Sequence, residues 1–129
     1  MEVTEFRVAL TVRDFEGALA FYRDALALRQ IADWSSDRGR VVVLEAGHAT
    51  LELLDEAQAG MVDEIEAGRR GSGAIRLALA VADSDAVAER LIAAGAERVA
   101  PSVSTPWGDR NARLRAPDGM QLTLFTTPP

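Results

Sequence analysis

One eight-residue segment occurs twice in this chain. Arg7-Val8-Ala9-Leu10-Thr11-Val12-Arg13-Asp14 returns as Arg76-Leu77-Ala78-Leu79-Ala80-Val81-Ala82-Asp83, at an offset of 69 residues throughout. In each copy an apolar run leads to an aspartate that can cap a following helix. Each copy also carries an arginine at the same strand position. A strand–helix unit duplicated within 129 residues predicts two similar halves sharing a surface, a natural place for a ligand.

Composition narrows the class of function. The hydrophobic fraction of 48% and charged fraction of 26% suit a globular domain with its own core. No apolar run approaches the roughly 18 residues needed to cross a membrane. The opening residues Met1 to Glu5 lack the basic and apolar regions of a signal peptide, so a cytoplasmic protein is the simplest reading. The absence of cysteine excludes disulfides, thiolate metal sites and cysteine nucleophiles. A net charge of −6 argues against nucleic-acid and anionic-membrane partners.

Periodicity and turn chemistry organise the rest. Residues 6–12 read as a buried strand, and Asp14 as a helix N-cap. Ala18, Phe21, Tyr22, Ala25 and Leu26 follow helical spacing. Residues 28–34, 40–45 and 49–54 read as strands, with turns at 35–39 and 46–48. Residues 55–73, acidic and then Gly-rich, read as a connection with a short helix over 62–67. Its acidic cluster, Asp55, Glu56, Asp63, Glu64 and Glu66, is expected to be solvated. The second half repeats the order: a strand at 74–81, a helix with Val87, Leu91 and Ala94 on its apolar face and Gly95 at its end, then strands at 98–102, 111–115 and 120–126. Pro117-Asp118-Gly119 is a turn. The expectation is one α+β domain over 1–129, built from two βαβββ modules at about 1–57 and 72–129. Its mixed sheet would be cupped, with helices on the outer face. There is no Gly-rich phosphate loop or dinucleotide fingerprint.

Strand alternation then places side chains. Val8, Leu10 and Val12 share one face of the first strand, and Arg7, Ala9 and Thr11 the other. Leu77, Leu79 and Val81 likewise oppose Arg76, Ala78 and Ala80. Leu51 and Leu53 oppose Glu52, while Leu122 and Leu124 oppose Thr123 and Phe125. If the mixed faces line a cup, Ala9 and Ala78 leave room inside it, and Arg7, Glu52, Arg76 and Thr123 sit within it. Trp34 and Trp107 could wall such a cup by stacking on a flat ligand. His48, the only histidine, falls in a turn and is expected to face solvent. Tyr22 reads as helix-to-sheet packing.

The motifs Val12-Arg13-Asp14 with Phe21-Tyr22, Val81-Ala82-Asp83 with Gly95, Leu51-Glu52-Leu53, Pro106-Trp107-Gly108 and Pro117-Asp118-Gly119 occur in an order that resembles the vicinal oxygen chelate superfamily. That group includes glyoxalase I, extradiol dioxygenases and the bleomycin-resistance proteins. Ala116 and Met120 depart from the residues common at that turn. The resemblance implies paired βαβββ modules and usually a homodimer. It also implies that metal-dependent members would place their ligands at Arg7, Glu52, Arg76 and Thr123. Of these only Glu52 can ligate a divalent cation well, because arginine is permanently protonated and only donates hydrogen bonds. No metal and no other cofactor is therefore expected. The metal-free bleomycin-resistance branch is the nearest in character, which implies binding of a small molecule, an antibiotic or natural product. The ligand-binding candidates are Arg7, Ala9, Trp34, Glu52, Arg76, Ala78, Trp107, Thr123 and Phe125. Two arginines against one glutamate would leave a positive spot favouring an anionic or carbonyl-rich ligand, or else an internal Arg7–Glu52–Arg76 salt-bridge network. The alternative is a metal-free lyase or isomerase with Glu52 as base and both arginines stabilising an enolate.

Overall fold

The two copies of the repeat pair with each other at the centre of one eight-stranded sheet. The structure, a computed structural model, describes residues 2–128. The first half supplies β1 (Glu5–Thr11), β2 (Arg29–Asp33), β3 (Val41–Ala46) and β4 (Ala49–Leu54). The second supplies β5 (Ile75–Ala80), β6 (Glu97–Ser104), β7 (Arg110–Arg115) and β8 (Gln121–Thr126). Their order across the sheet is β2-β3-β4-β1-β5-β8-β7-β6. β1 and β5 run antiparallel, and each pairs in parallel with the last strand of its own half. The registers are equivalent: Ala9 lies beside Glu52 in β4, and Ala78 beside Thr123 in β8. This is the expected α+β architecture.

Two helices cover the apolar face. α1 (Phe15–Ala18) continues as a π-helical stretch over Leu19–Ala25, and α3 spans Ser84–Ala93. Asp14 caps α1 by accepting from the Gly17 N–H, and Asp83 caps α3 by accepting from the Ala86 N–H. Phe15 of α1 and Leu19 of the π-helical stretch are buried against Val42, Leu44 and Leu53. α3 buries Val87 and Ala88 against Ala112, Leu114 and Leu124. Tyr22 packs beside the first cluster, as expected. The π-helical stretch gives way to β2 through Ala27, whose φ of 63° lies in the left-handed region. His48 is exposed in the β3–β4 turn. No helix among the described residues is long and apolar enough to cross a membrane.

The connection between the halves differs from its reading as a solvated acidic segment with a short helix. It forms the longest helix, α2 (Glu56–Ala67), capped by Asp55 through the Gln58 N–H. α2 lies on the opposite face of the sheet from α1 and α3, where it buries Ala59 and Val62 and meets a buried cation. Arg113 of β7 is 1% exposed; it donates from Nη2 to Asp63 at 2.9 Å and from Nε to Glu66 at 2.8 Å. Asp63 and Glu66 are three residues apart and so share one helix face. A buried guanidinium is tolerated only with such partners. Asp63 also accepts the Gly71 and Ser72 amides and the Ser72 hydroxyl, which folds the Gly-rich tail back under the helix. Glu56 and Glu64 stay exposed, so only part of the acidic cluster behaves as expected. At the other end Gly39 supports α2: a Cβ there would come within 2.4 Å of the Gln58 backbone nitrogen.

Candidate ligand-binding site

Between α2 and the uncovered part of the concave face lies a cavity of about 730 Å³. That size suits a drug-sized molecule. Its floor is the centre of the sheet, where Arg7, Ala78 and Thr123 form one cross-strand row through β1, β5 and β8. Glu52, Arg76 and Phe125 complete the floor, and Trp34 and Trp107 stand at its sides. The structure thus brings together all but one of the residues selected from sequence. Ala9 is the exception: it is 3% exposed and lies beneath α2 with Val41 and Leu54, outside this cavity.

Each arginine already has a carboxylate partner: Arg76 takes Glu52, as in the expected network, and Arg7 does not. Arg7 pairs with Glu5 on its own strand, Nη2 to Oε2 at 2.7 Å. Thr50 joins them: its hydroxyl donates to Glu5 at 2.8 Å and accepts from Arg7 Nε at 3.3 Å. The Arg7 guanidinium carbon lies 5.2 Å from the Trp34 ring centroid and 5.4 Å from that of Phe125, within cation–π range of both. Arg76 donates to the Thr123 hydroxyl at 2.8 Å and pairs with Glu52 at 3.7 Å. Burial pushes the Arg76 guanidinium below its ordinary pKa, and Glu52 acts against this. The expected Arg7–Glu52–Arg76 chain is therefore two separate pairs. No surplus of positive charge remains, because Glu5 supplies a carboxylate that the sequence reading did not assign to the site.

The second wall was missed altogether. Gln58, Met61, Val62 and Glu66 of α2 line the cavity, as does Asn111 of β7. Asn111 Nδ2 donates to Glu66 Oε2 at 2.7 Å, while Glu66 Oε1 receives Arg113. The signal was present: residues 58, 62 and 66 lie on one helical stripe, and Asn111 and Arg113 alternate with Ala112 and Leu114. Reading the segment as a solvated connection hid it.

The sequence pattern of the Glyoxalase/Bleomycin resistance protein/Dioxygenase superfamily matches residues 6–124. The chain belongs to that superfamily. Solved structures agree at the level of fold. Methylmalonyl-CoA epimerase from Mycobacterium tuberculosis is 22% identical with a TM-score of 0.69, the alignment covering 98% of this chain and 90% of that one. A variant of Streptomyces coelicolor methylmalonyl-CoA epimerase, in complex with 2-nitronate-propionyl-CoA, is 18% identical with a TM-score of 0.68, covering 99% and 100%. A superfamily member from Vibrio splendidus 12B01 is 14% identical with a TM-score of 0.65, covering 95% and 97%. No curated protein matches the chain.

The sequence resemblance implies metal-ligand positions at Arg7, Glu52, Arg76 and Thr123. These residues do not fit a metal ion. The Arg76 guanidinium stands between the Glu52 carboxylate and the Thr123 hydroxyl and engages both. Among the described residues no three His, Cys, Asp or Glu side chains cluster as a metal site would need.

Proposed function

We propose that this superfamily member is a metal-independent binding protein that sequesters a small, flat, antibiotic- or natural-product-like molecule. One observation carries the reading. A drug-sized cavity has aromatic walls, and the groups on its floor that could do chemistry are already engaged with one another. Glu52 holds Arg76, Arg76 holds Thr123, and Arg7 is held by Glu5 and Thr50. Trp34 and Trp107 are 53% and 47% exposed beside the cavity, so a ring that stacks on either would bury apolar area now facing water. Arg7 lies within cation–π range of both Trp34 and Phe125, which sets a planar cation beside two aromatic rings.

The lyase or isomerase reading draws support from the methylmalonyl-CoA epimerases that share the fold, and from Glu52, which is 8% exposed on the cavity wall. Against it stand the occupied guanidiniums. Stabilising an enolate requires donors aimed at the developing charge, and here Arg7 Nε and Nη2 are aimed at Glu5, Arg76 Nη1 at Thr123, and Arg76 Nη2 lies 3.7 Å from Glu52. As a binder the chain would pair with a second copy. The half-exposed Phe6 and Ile75, on the apolar face of the central strands, offer a contact for that copy.

The test is a thermal-shift screen of antibiotics and natural products with and without divalent metals. A binder raises the melting temperature in proportion to the logarithm of its free concentration over Kd. The expected hit shifts the melt without metal, binds at a fixed stoichiometry and is recovered chemically unchanged. A shift that requires zinc, nickel or manganese would overturn the reading. So would turnover that is lost in Glu52→Gln.

A further inference from the structure

The cavity floor carries an acceptor and a donor whose hydrogen-bonding capacity is unspent. We infer that the Glu52 carboxylate and the Nη1 group of Arg7 form one subsite, which takes a flat ligand bearing a hydrogen-bond donor beside a carbonyl oxygen, as in a primary carboxamide or a lactam. This inference rests on the binding function proposed above and names the head group that holds the ligand.

Glu52 supplies the acceptor. It is 8% exposed and lines the large cavity but not the small space beneath α2. Its ion pair with Arg76 is 3.7 Å long, beyond hydrogen-bond reach, and among the described residues its carboxylate accepts no hydrogen bond. Within the buried and half-buried residues, the unpartnered side-chain polar atoms shut off from solvent are Gln58 Oε1 and Asn111 Oδ1. The Glu52 oxygens are not among them, so they keep contact with solvent, and the open space that Glu52 lines is the cavity.

Arg7 supplies the donor. Its Nε and Nη2 both donate to Glu5 Oε2, at 3.0 Å and 2.7 Å. The three nitrogens of a guanidinium lie in a plane about 120° apart, so an acceptor shared by Nε and Nη2 lies opposite Nη1. Nη1 therefore points away from Glu5. Among the described residues it donates to no acceptor, and it too is open to solvent. The guanidinium sits beside the rings of Trp34 and Phe125, which line the same cavity as Arg7 and Glu52.

The two groups stand on adjacent strands and on one face. Arg7 of β1 is in register with Thr50 of β4, and Glu52 is the next residue of β4 on that face. Strand rise and spacing put their α-carbons about 8 Å apart, so one planar head group can lie between the side chains. A ligand that satisfied only one of them would desolvate the other without replacing its water, which is costly for a charged group. The subsite thus favours a donor and an acceptor together over either alone.

Three naphthalenes test this. 2-Naphthamide carries both a donor and a carbonyl, methyl 2-naphthoate only the carbonyl, and 2-naphthol chiefly a donor. Affinities are measured by isothermal titration calorimetry on the full chain at neutral pH. The amide is expected to bind about tenfold tighter than either of the others, as a charge-assisted hydrogen bond implies. Arg7→Met should weaken the amide and the ester about tenfold and the naphthol far less. Glu52→Gln should weaken the amide and the naphthol more than the ester. That crossed pattern separates ligand contacts from a structural role, which would weaken all three alike. The wild-type ranking and Arg7→Met suffice should Glu52→Gln fail to fold. An amide that binds no tighter than the ester and the naphthol, or a uniform loss in Arg7→Met, would overturn the inference and leave the binding function intact. Failure of all three to bind would remove the proposed binding function, and the inference with it.

Discussion

Arg7 and Arg76 occupy equivalent positions in the two halves and meet different surroundings. Arg7 keeps 15% of its side chain exposed, flanked by Trp34 and Phe125 and paired with Glu5 two residues away. Arg76 keeps 9% and reaches Glu52 across the sheet and Thr123 on the adjacent strand. Two local differences separate them. The position equivalent to Glu5 is Ala74, so Arg76 has no carboxylate on its own strand. In addition α2 covers one side only, and Arg76 lines both the open cavity and the small enclosed space beneath that helix. A repeated strand does not repeat its environment when a single unrepeated helix lies on one half. The same helix turns an open cup into a cavity with a second wall, to which Gln58, Met61, Val62 and Glu66 contribute.

The comparison can be broken most forcefully at the helix. Arg113→Met would leave Asp63 and Glu66 buried without their cation, and a loss of about 5 kcal/mol or of the folded state is expected, at the upper end for breaking buried pairs. Urea denaturation followed by circular dichroism measures it. A loss below about 1 kcal/mol would mean that α2 is not held by this network.

Next comes the arginine pair itself. Arg76→Met strands Glu52, which is 8% exposed, and should cost about 3 kcal/mol. Arg7→Met removes a more open pair and should cost no more than about 1 kcal/mol. Equal losses would erase the distinction between the two halves.

Acid should sharpen the picture of the covered half. Burial acts to raise the Asp63 pKa, but the Gly71 and Ser72 amides and the Arg113 guanidinium outweigh it and hold the group at about 2, against an ordinary 3.8. A depressed carboxylate contributes stability that is complete above its unfolded pKa and lost as pH falls through its folded pKa. The contribution, about 2 kcal/mol, should therefore be full above about pH 4 and lost toward about pH 2. Asp63→Asn should be less stable at neutral pH and show a shallower decline over that window. An unchanged slope would place the acid sensitivity elsewhere.

The smallest expected effect lies in the open half. Ala27→Gly relieves a left-handed residue at φ 63°, worth about 1–2 kcal/mol, and gives back roughly 0.4–1 kcal/mol in chain entropy. A net gain of about 0.5 kcal/mol in thermal or urea unfolding is expected. A loss would show that Ala27 does not adopt this conformation.

The floor of the cavity was legible because strand alternation is a local rule. Once Arg7, Glu52, Arg76 and Thr123 were placed on the faces opposite the leucines, the pairing of β1 with β5 and of each with its last strand brought them together. The caps at Asp14 and Asp83, the glycine ending α3 and the turns were legible for the same reason. The α2 wall was not. A cluster of five acidic residues looks solvated unless their partners are known, and the buried cation shared by Asp63 and Glu66, Arg113, lies 50 and 47 residues away. The acidic count alone could not tell Glu64, which faces water, from Asp63, which is 1% exposed.

The amino-acid order alone determined the duplicated strand–helix units, the faces of their strands and the residue types that meet on the cavity floor, because each depends on residue type and spacing along a short stretch. Tertiary structure decided which carboxylate each arginine takes, where α2 settles, and that Asn111 and Gln58 come to line one cavity. Those outcomes depend on the contest between ion pairing and hydration for groups far apart in the chain, and that contest has no answer until the sheet has closed around them.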